Sequence, residues 1–201
     1  MMSAIVLPSE SLPPASSLEH LKTLSVFDRT GAAIAFPTLI TTDSLEKIVV
    51  VFIRHFYCGS CQDFVRALTT APSLTPSALS SRNAKLIIIG CGDSSLISEY
   101  ASQLSAPWEF FSDPSGAIYD TLGMHKSLAS GKKPDYIKTG ILSAVWSGIV
   151  SGLKSGPTKG GNITRNGGEF LWVGQKLEWC HRMQNTRDHL EVSQIVKLLE
   201  D

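Results

Sequence analysis

The chain has 201 residues, is 43% hydrophobic, and carries 18 basic against 18 acidic side chains. That length suits one well-cored domain with a tail, and the balanced charge excludes a bulk electrostatic attraction for nucleic acid or an anionic membrane surface. Four cysteines are too few to staple a domain of this size. The first residues, Met1-Met2-Ser3-Ala4-Ile5-Val6-Leu7-Pro8, have neither a basic n-region with a long apolar h-region nor an Arg-rich transit pattern. The apolar runs elsewhere are too short or too interrupted to span a bilayer. The expectation is a soluble, cytoplasmic protein in a reducing compartment, with no membrane and no nucleic-acid partner.

Residues 1–17 are rich in Ser and Pro and predict a loose arm, with one domain over residues 18–201. Between residues 24 and 36 two short apolar runs flank a turn at residues 28–31, a β-hairpin pattern. Residues 48–53, Ile-Val-Val-Val-Phe-Ile, are too continuously apolar to alternate and predict a strand buried on both faces. The chain then passes through Cys58-Gly59-Ser60-Cys61 into a stretch where Cys61, Val65 and Leu68 share one helical face. Pro72 and Pro76 break the chain beyond that helix, and a Ser-rich stretch runs to Arg82. Residues 85–90 predict a second buried strand, and Ser94 or Ser95 a cap for the helix after it. A third strand at residues 108–111, a turn at 113–116 and a short helix at 117–122 complete strands alternating with helices, the pattern of βαβ crossovers.

Residues 126–167 form an insert. Within it, residues 141–153 place Ile141, Leu142, Val145, Trp146, Ile149, Val150 and Leu153 at helical spacing, before a Gly-rich basic stretch. Two readings stay open: a helix packed on the sheet with a loop after it, or a cover over the thiols with Trp146 lining an apolar substrate pocket. Residues 169–173 and 176–181 flank Gly174-Gln175 as a second hairpin. Thr186 or Asp188 is expected to cap a last helix bearing the apolar stripe Val192, Ile195, Val196 and Leu199.

The chemistry concentrates at Cys58 and Cys61. A thiol where a strand becomes a helix N-terminus meets unpaired N–H groups and the positive end of the helix dipole, which favour the reactive thiolate. The second thiol, three residues on, lies within reach of a mixed disulfide or sulfenic acid formed on the first. Arg54 and His55 could supply positive charge, while Phe56, Tyr57 and Trp146 are the candidate substrate-lining residues. A zinc site would need a second ligand pair, and Cys91 and Cys180 are isolated, so no metal is expected. Cys91 and Cys180 read as core or edge residues.

Phe52-Ile53-Arg54-His55-Phe56-Tyr57-Cys58-Gly59-Ser60-Cys61 resembles the Arg-His-Phe-x-Cys-x-x-Cys signature of the peroxiredoxin-like 2 group, the AhpC/TSA antioxidant-like domain proteins of the thioredoxin superfamily. Phe111-Ser112-Asp113-Pro114 with Leu122-Gly123, then Gly167-Gly168-Glu169-Phe170 and Asn185-Thr186-Arg187-Asp188-His189, are similar to further segments of that group or of peroxiredoxins. The resemblance implies an α/β, thioredoxin-like (peroxiredoxin-like) fold: a mixed central sheet flanked by helices, an N-terminal hairpin, and an inserted helix before a C-terminal ββα unit. It also implies a redox enzyme in which Cys58 and Cys61 form a disulfide that an external thiol such as thioredoxin or glutathione reduces, with a homodimer among the expected partners. Relatives in the group include an enzyme that reduces prostaglandin endoperoxides, so a bulky organic peroxide is one expected substrate. Protein disulfide exchange and a non-catalytic redox-sensing module are the alternatives. The pattern departs from classical peroxiredoxins where Val51 stands at the Pro position and His55 at the Thr position. Gly167-Gly168 opens the strand that usually brings an active-site Arg, and the thioredoxin cis-Pro is absent there.

Overall fold

The computed structural model describes residues 7–8, 10–41, 46–137, 156 and 159–200. One seven-stranded mixed sheet organises them, in the order β2-β1-β5-β4-β3-β6-β7. The strands are β1 Ser25–Phe27, β2 Ala33–Ala35, β3 Lys47–Ile53, β4 Ala84–Gly90, β5 Glu109–Ser112, β6 Gly168–Val173 and β7 Lys176–Arg182. The helices are α1 Ala15–Leu21, α2 Pro37–Ile40, α3 Gly59–Thr69, α4 Pro76–Ser80, α5 Ile97–Gln103, α6 Ala117–Thr121 and α7 Val192–Glu200.

β3 is central because its β-branched run can be buried on both faces. It pairs parallel with β4 from Lys47↔Ala84 to Ile53↔Gly90, and antiparallel with β6 from Lys47↔Val173 to Phe52↔Gly168. Val49, Val51 and Ile53 point to one core with Cys61, Phe64, Val65 and Leu68 of α3, Tyr100 of α5, and Ile195 and Leu199 of α7. Ile48, Val50 and Phe52 point to the other, with Leu21 of α1, Leu39 of α2, Ile118 and Tyr119 of α6, and Phe170 and Trp172 of β6. Each such fully buried side chain contributes about 1.5–3 kcal/mol relative to exposure. Beyond the ladder, the Tyr119 hydroxyl lies 2.7 Å from the Ile53 carbonyl and 2.9 Å from that of Ile89, so its single hydrogen serves one of the two strand ends at a time.

Several local expectations change. The described part of the Ser- and Pro-rich arm is docked: Trp179 Nε1 donates to the Pro8 carbonyl, Arg182 pairs with Glu10, and α1 begins at Ala15. A tail with few apolar residues is held here by polar contacts to β7. Asp93, not Ser94 or Ser95, caps the turn before α5, accepting from the Ser95 N–H at 2.9 Å. Neither Thr186 nor Asp188 caps α7. Asp188 accepts from the Gln184 N–H, and the Gln194 side chain takes the Glu191 N–H at 2.9 Å, one half of a capping box. The Ser-rich stretch after Pro72 folds into a 3₁₀ turn and α4, which Thr75 caps through the Ala78 N–H. The two ends of the insert meet at an antiparallel bridge between Lys126 and Arg165. The expected helix at 141–153, with Trp146, lies outside the described residues.

Candidate active site

β3 delivers Arg54 and His55 from its C-terminal end, and α3 starts five residues later. Cys58 occupies the N-cap of α3 with extended backbone (φ −77°, ψ 107°), and its sulfur accepts from the Cys61 N–H at 3.3 Å. A sulfur at this position takes the place of the usual Ser, Asp or Asn oxygen and answers one of the helix's unpaired donors. Arg54 Nη1 donates to the same sulfur at 3.5 Å, and Ser60 Oγ lies 3.3 Å away. Cys58 is 3% exposed and Cys61 fully buried, both as free thiols. Two more contacts fix the loop: Cys58 N–H donates to the His55 carbonyl at 3.0 Å and Gln62 Nε2 to the Phe56 carbonyl at 3.2 Å.

Burial works against a charge on either thiol, and the two respond oppositely. At Cys58 the hydrogen bond from Cys61, the charges of His55 and Arg54, and Ser60 together overcome burial and hold the thiol well below its ordinary range. At Cys61 burial is reinforced by the neighbouring Cys58 sulfur, and the thiol is pushed well above that range. His55 is itself pushed down, first by burial, with Arg54 adding to it, and its Nδ1 has no partner. An imidazole disfavoured as a cation is a weak source of charge at neutral pH, so Arg54 is the steadier one.

Arg54 also holds a strap over the strand ends. Its Nε donates to the Arg165 carbonyl at 3.1 Å and its Nη2 to the Ile163 carbonyl at 2.5 Å. The Phe56 N–H donates to the Gly160 carbonyl, and the Asp93 N–H to that of Lys159. The strap lies so close that a Cβ on Gly160 would sit 1.9 Å from the Tyr57 ring. Gly161, at φ +99°, packs its Cα against the Cys91 carbonyl. The strap's own Arg165 is buried, paired through both terminal nitrogens to Asp120 at 2.9 and 3.2 Å.

Of the residues singled out from sequence, Arg54, His55, Cys58 and Cys61 are brought together. Phe56 is not free to line a substrate site: its ring is buried, packs on Tyr100 with centroids 5.3 Å apart, and fills the space over Gly90. Aromatic bulk in the motif serves the core there. Tyr57 is half-buried and turned to the strap, its hydroxyl 3.5 Å from the Gly156 carbonyl. Trp146 lies outside the described residues. Cys91 and Cys180 are buried, the latter's sulfur donating to the Ser11 carbonyl at 3.6 Å, and burial pushes both thiols up. Among the described residues no three or more His, Cys, Asp or Glu are grouped to hold a metal ion, and no helix is long and apolar enough to cross a membrane.

Sequence reasoning did not connect Glu169 and His181 with His189 in a second polar group behind α3. Glu169 of β6 is fully buried between two imidazoles, 2.5 Å from His189 Nδ1 and 2.8 Å from His181 Nδ1. Burial opposes its ionisation, but the charges and hydrogen bonds of His189 and His181 prevail and pull its carboxyl from 4.5 down to about 2. A folded-state value below the unfolded one stabilises the fold above pH 4.5 and ceases to do so as pH falls toward about 2. The gap in Tm between wild type and Glu169→Gln is therefore expected to narrow across that acid window in a thermal melt series, and a constant gap would refute the ionic role. His181 runs the other way. Glu169 raises it despite burial, so its contribution is complete below pH 6.5 and fades as pH climbs through the raised value.

A strand–thiol–helix unit on a mixed sheet that ends in an antiparallel ββα element defines a thioredoxin-like fold of the peroxiredoxin type. The chain aligns with a bacterioferritin comigratory protein of Xanthomonas campestris, described as an alkyl peroxide reductase, at TM-score 0.58 and 10% identity, over 96% of this chain and 98% of that one. A secreted disulfide oxidoreductase of Mycobacterium tuberculosis aligns at TM-score 0.51 and 9% identity, over 90% and 97%. A sequence profile of the AhpC/TSA antioxidant enzyme family matches residues 73–185, more than half the chain, and the protein belongs to that family. Peroxiredoxin-like 2C of Homo sapiens is 28% identical over 198 residues, 96% of this chain and 83% of the relative. Fold and family together mark a thiol redox protein. The profile match begins after Cys61, so the thiol pair rests on its own geometry at the start of α3.

Proposed function

We propose that the protein reduces a peroxide through Cys58. The observation that carries this reading is the Cys58 sulfur at the helix N-cap, with the Cys61 N–H and the Arg54 guanidinium both directed at it. The thiolate attacks one peroxide oxygen, the O–O bond breaks, and Cys58 becomes a sulfenic acid while the other oxygen leaves as an alcohol or water after taking a proton. Arg54 is placed to balance the charge on the leaving oxygen. Cys61 then attacks Cys58, the S–O bond breaks, water leaves, and a Cys58–Cys61 disulfide remains for an external thiol such as thioredoxin or glutathione to reduce. A cytoplasmic setting would keep that donor reduced. No metal or organic cofactor enters these steps.

Titration of the reduced protein with hydrogen peroxide and with a bulky hydroperoxide, followed by free-thiol count and intact mass, tests the reading. Loss of two thiols and two mass units at one equivalent of oxidant is the expected result, and the faster oxidant indicates the substrate class. If both thiols persist until large excess, peroxide reduction is refuted and disulfide exchange becomes the working function.

A further inference from the structure

Cys58 is 3% exposed, so the sulfur that is to react sits under a cover. Part of that cover is one hydroxyl away. Ser60 Oγ lies 3.3 Å from Cys58 Sγ and donates to the Thr186 carbonyl at 3.0 Å. Thr186 belongs to the loop between β7 and α7, and that loop carries the leading arm of the insert. The Thr186 N–H donates to the Ala129 carbonyl at 2.9 Å, and the Asn185 side chain accepts from the Gly131 N–H at 3.0 Å. The approach is tight there, since a Cβ on Gly131 would fall 2.2 Å from Asn185 Oδ1. Farther on, the Asp135 N–H donates to Glu191 Oε1 and the His189 N–H to the Tyr136 hydroxyl, at 2.9 and 3.3 Å.

A hydroxyl has one hydrogen, and the two neighbours of Ser60 compete for it. While Cys58 is a thiol, its S–H can point at Ser60 Oγ and the Ser60 hydrogen at Thr186, so both bonds stand. A thiolate has nothing to donate. Two acceptor atoms would then face each other at 3.3 Å unless the Ser60 hydrogen turns to the sulfur. A charged acceptor holds a donor roughly twice as strongly as a neutral one, so the sulfur wins. Ser60 and Thr186 are both half-buried, and water can take up the released carbonyl.

We propose that Ser60 is a clasp operated by the charge on Cys58: ionisation of the sulfur draws the Ser60 hydrogen off Thr186 and frees the 185–187 loop, and loss of the charge fastens it again. Protonation, a sulfenic acid and a disulfide all count as loss of the charge. The cover thus loosens in the one state able to attack and closes once the sulfur has reacted. The clasp needs Cys58 to ionise and does not depend on what the sulfur then attacks. The charged and titratable groups that face Cys58 are Arg54 and His55 from the end of β3, Cys61 and Asp63 from α3, Tyr100 from α5 and Tyr136 from the insert. A thiol ionises as pH rises, so release follows the upward step through the Cys58 midpoint.

NMR of the reduced protein, with no oxidant present, reads the clasp through the Thr186 carbonyl carbon, whose resonance moves upfield when a hydrogen bond to its oxygen is lost. In the wild type that resonance is expected to shift upfield as pH rises, at the midpoint that iodoacetamide alkylation gives for Cys58. Protection of the Thr186 and Gly131 amides against hydrogen exchange, corrected for intrinsic rate, should fall roughly fivefold across the same step. In Ser60→Ala the resonance should lie upfield at every pH, and in Ser60→Thr, which keeps the hydroxyl, the step should return. Cys58→Ser keeps His55 and Asp63 but has no thiol to ionise, so its Thr186 resonance should hold the bonded position throughout. A step that is missing in the wild type, persists in Ser60→Ala, survives in Cys58→Ser or leaves the Gly131 protection unchanged overturns the clasp. Since no peroxide enters, the two readings fail separately. A step seen in a protein whose thiols ignore peroxides sinks only the peroxide reading, and peroxide reduction without the step sinks only the clasp.

Discussion

Cys58→Ser is expected to abolish oxidant consumption, whereas Cys61→Ser should still consume one equivalent and stop as a sulfenic acid or a mixed disulfide. The asymmetry follows from position. The sulfur with Arg54 Nη1 at 3.5 Å and the Cys61 N–H at 3.3 Å has its thiolate form favoured, and the sulfur one turn along the helix has it disfavoured. Alkylation with iodoacetamide across pH should therefore show one reactive thiol with a midpoint well below 9.0, and that signal should vanish in Cys58→Ser alone. Reactivity that survives in Cys58→Ser, or a midpoint at the ordinary thiol value, would move the chemistry off this residue.

The largest loss of stability is expected at Gly167→Ala. A Cβ there would lie 1.8 Å from the Phe52 carbonyl oxygen, a backbone atom of the central strand that cannot swing aside. Relief requires β6 to back away from β3 at the end that leads to Arg54, or the chain to give up the bond from the Met183 N–H to the Gly167 carbonyl at 3.0 Å. Overpacking of this kind costs about 3 kcal/mol, which for a chain of this size lowers Tm by roughly 6–12 °C. Differential scanning calorimetry of the single variant checks it, and a Tm within about 2 °C of wild type would show that the strands can separate there at little cost.

What the sequence made legible was whatever a local pattern can carry. The run at residues 48–53 reads as a central strand because only burial on both faces suits six consecutive apolar residues, and the Cys58–Cys61 spacing places two thiols on one helix start. Asp93, Glu169 and the strap were hidden for different reasons. Asp93 lost out to two serines nearer the expected helix because a cap is chosen by backbone geometry as well as by side-chain type. Glu169 looked like an ordinary strand residue; its significance depends on His181 twelve residues on and His189 twenty residues on. Arg54 was legible as a charge near the thiol but not as the clasp of residues 163 and 165, over a hundred positions away. Phe56 shows the converse failure, an aromatic next to a reactive thiol that the core claims first.

The sulfur that carries the proposed chemistry is also the atom that finishes α3. As long as Cys58 is an anion it is a strong acceptor for the Cys61 N–H, and a capping interaction is worth about 1 kcal/mol. Once that sulfur is covalently bonded to another sulfur its negative charge is gone, and the helix end loses most of that stabilisation. Folding energy is thus tied to electron count: the helix favours the dithiol over the disulfide. At about 30 mV for each 1.4 kcal/mol in a two-electron couple, this one contact shifts the pair by roughly 20 mV toward the oxidising side.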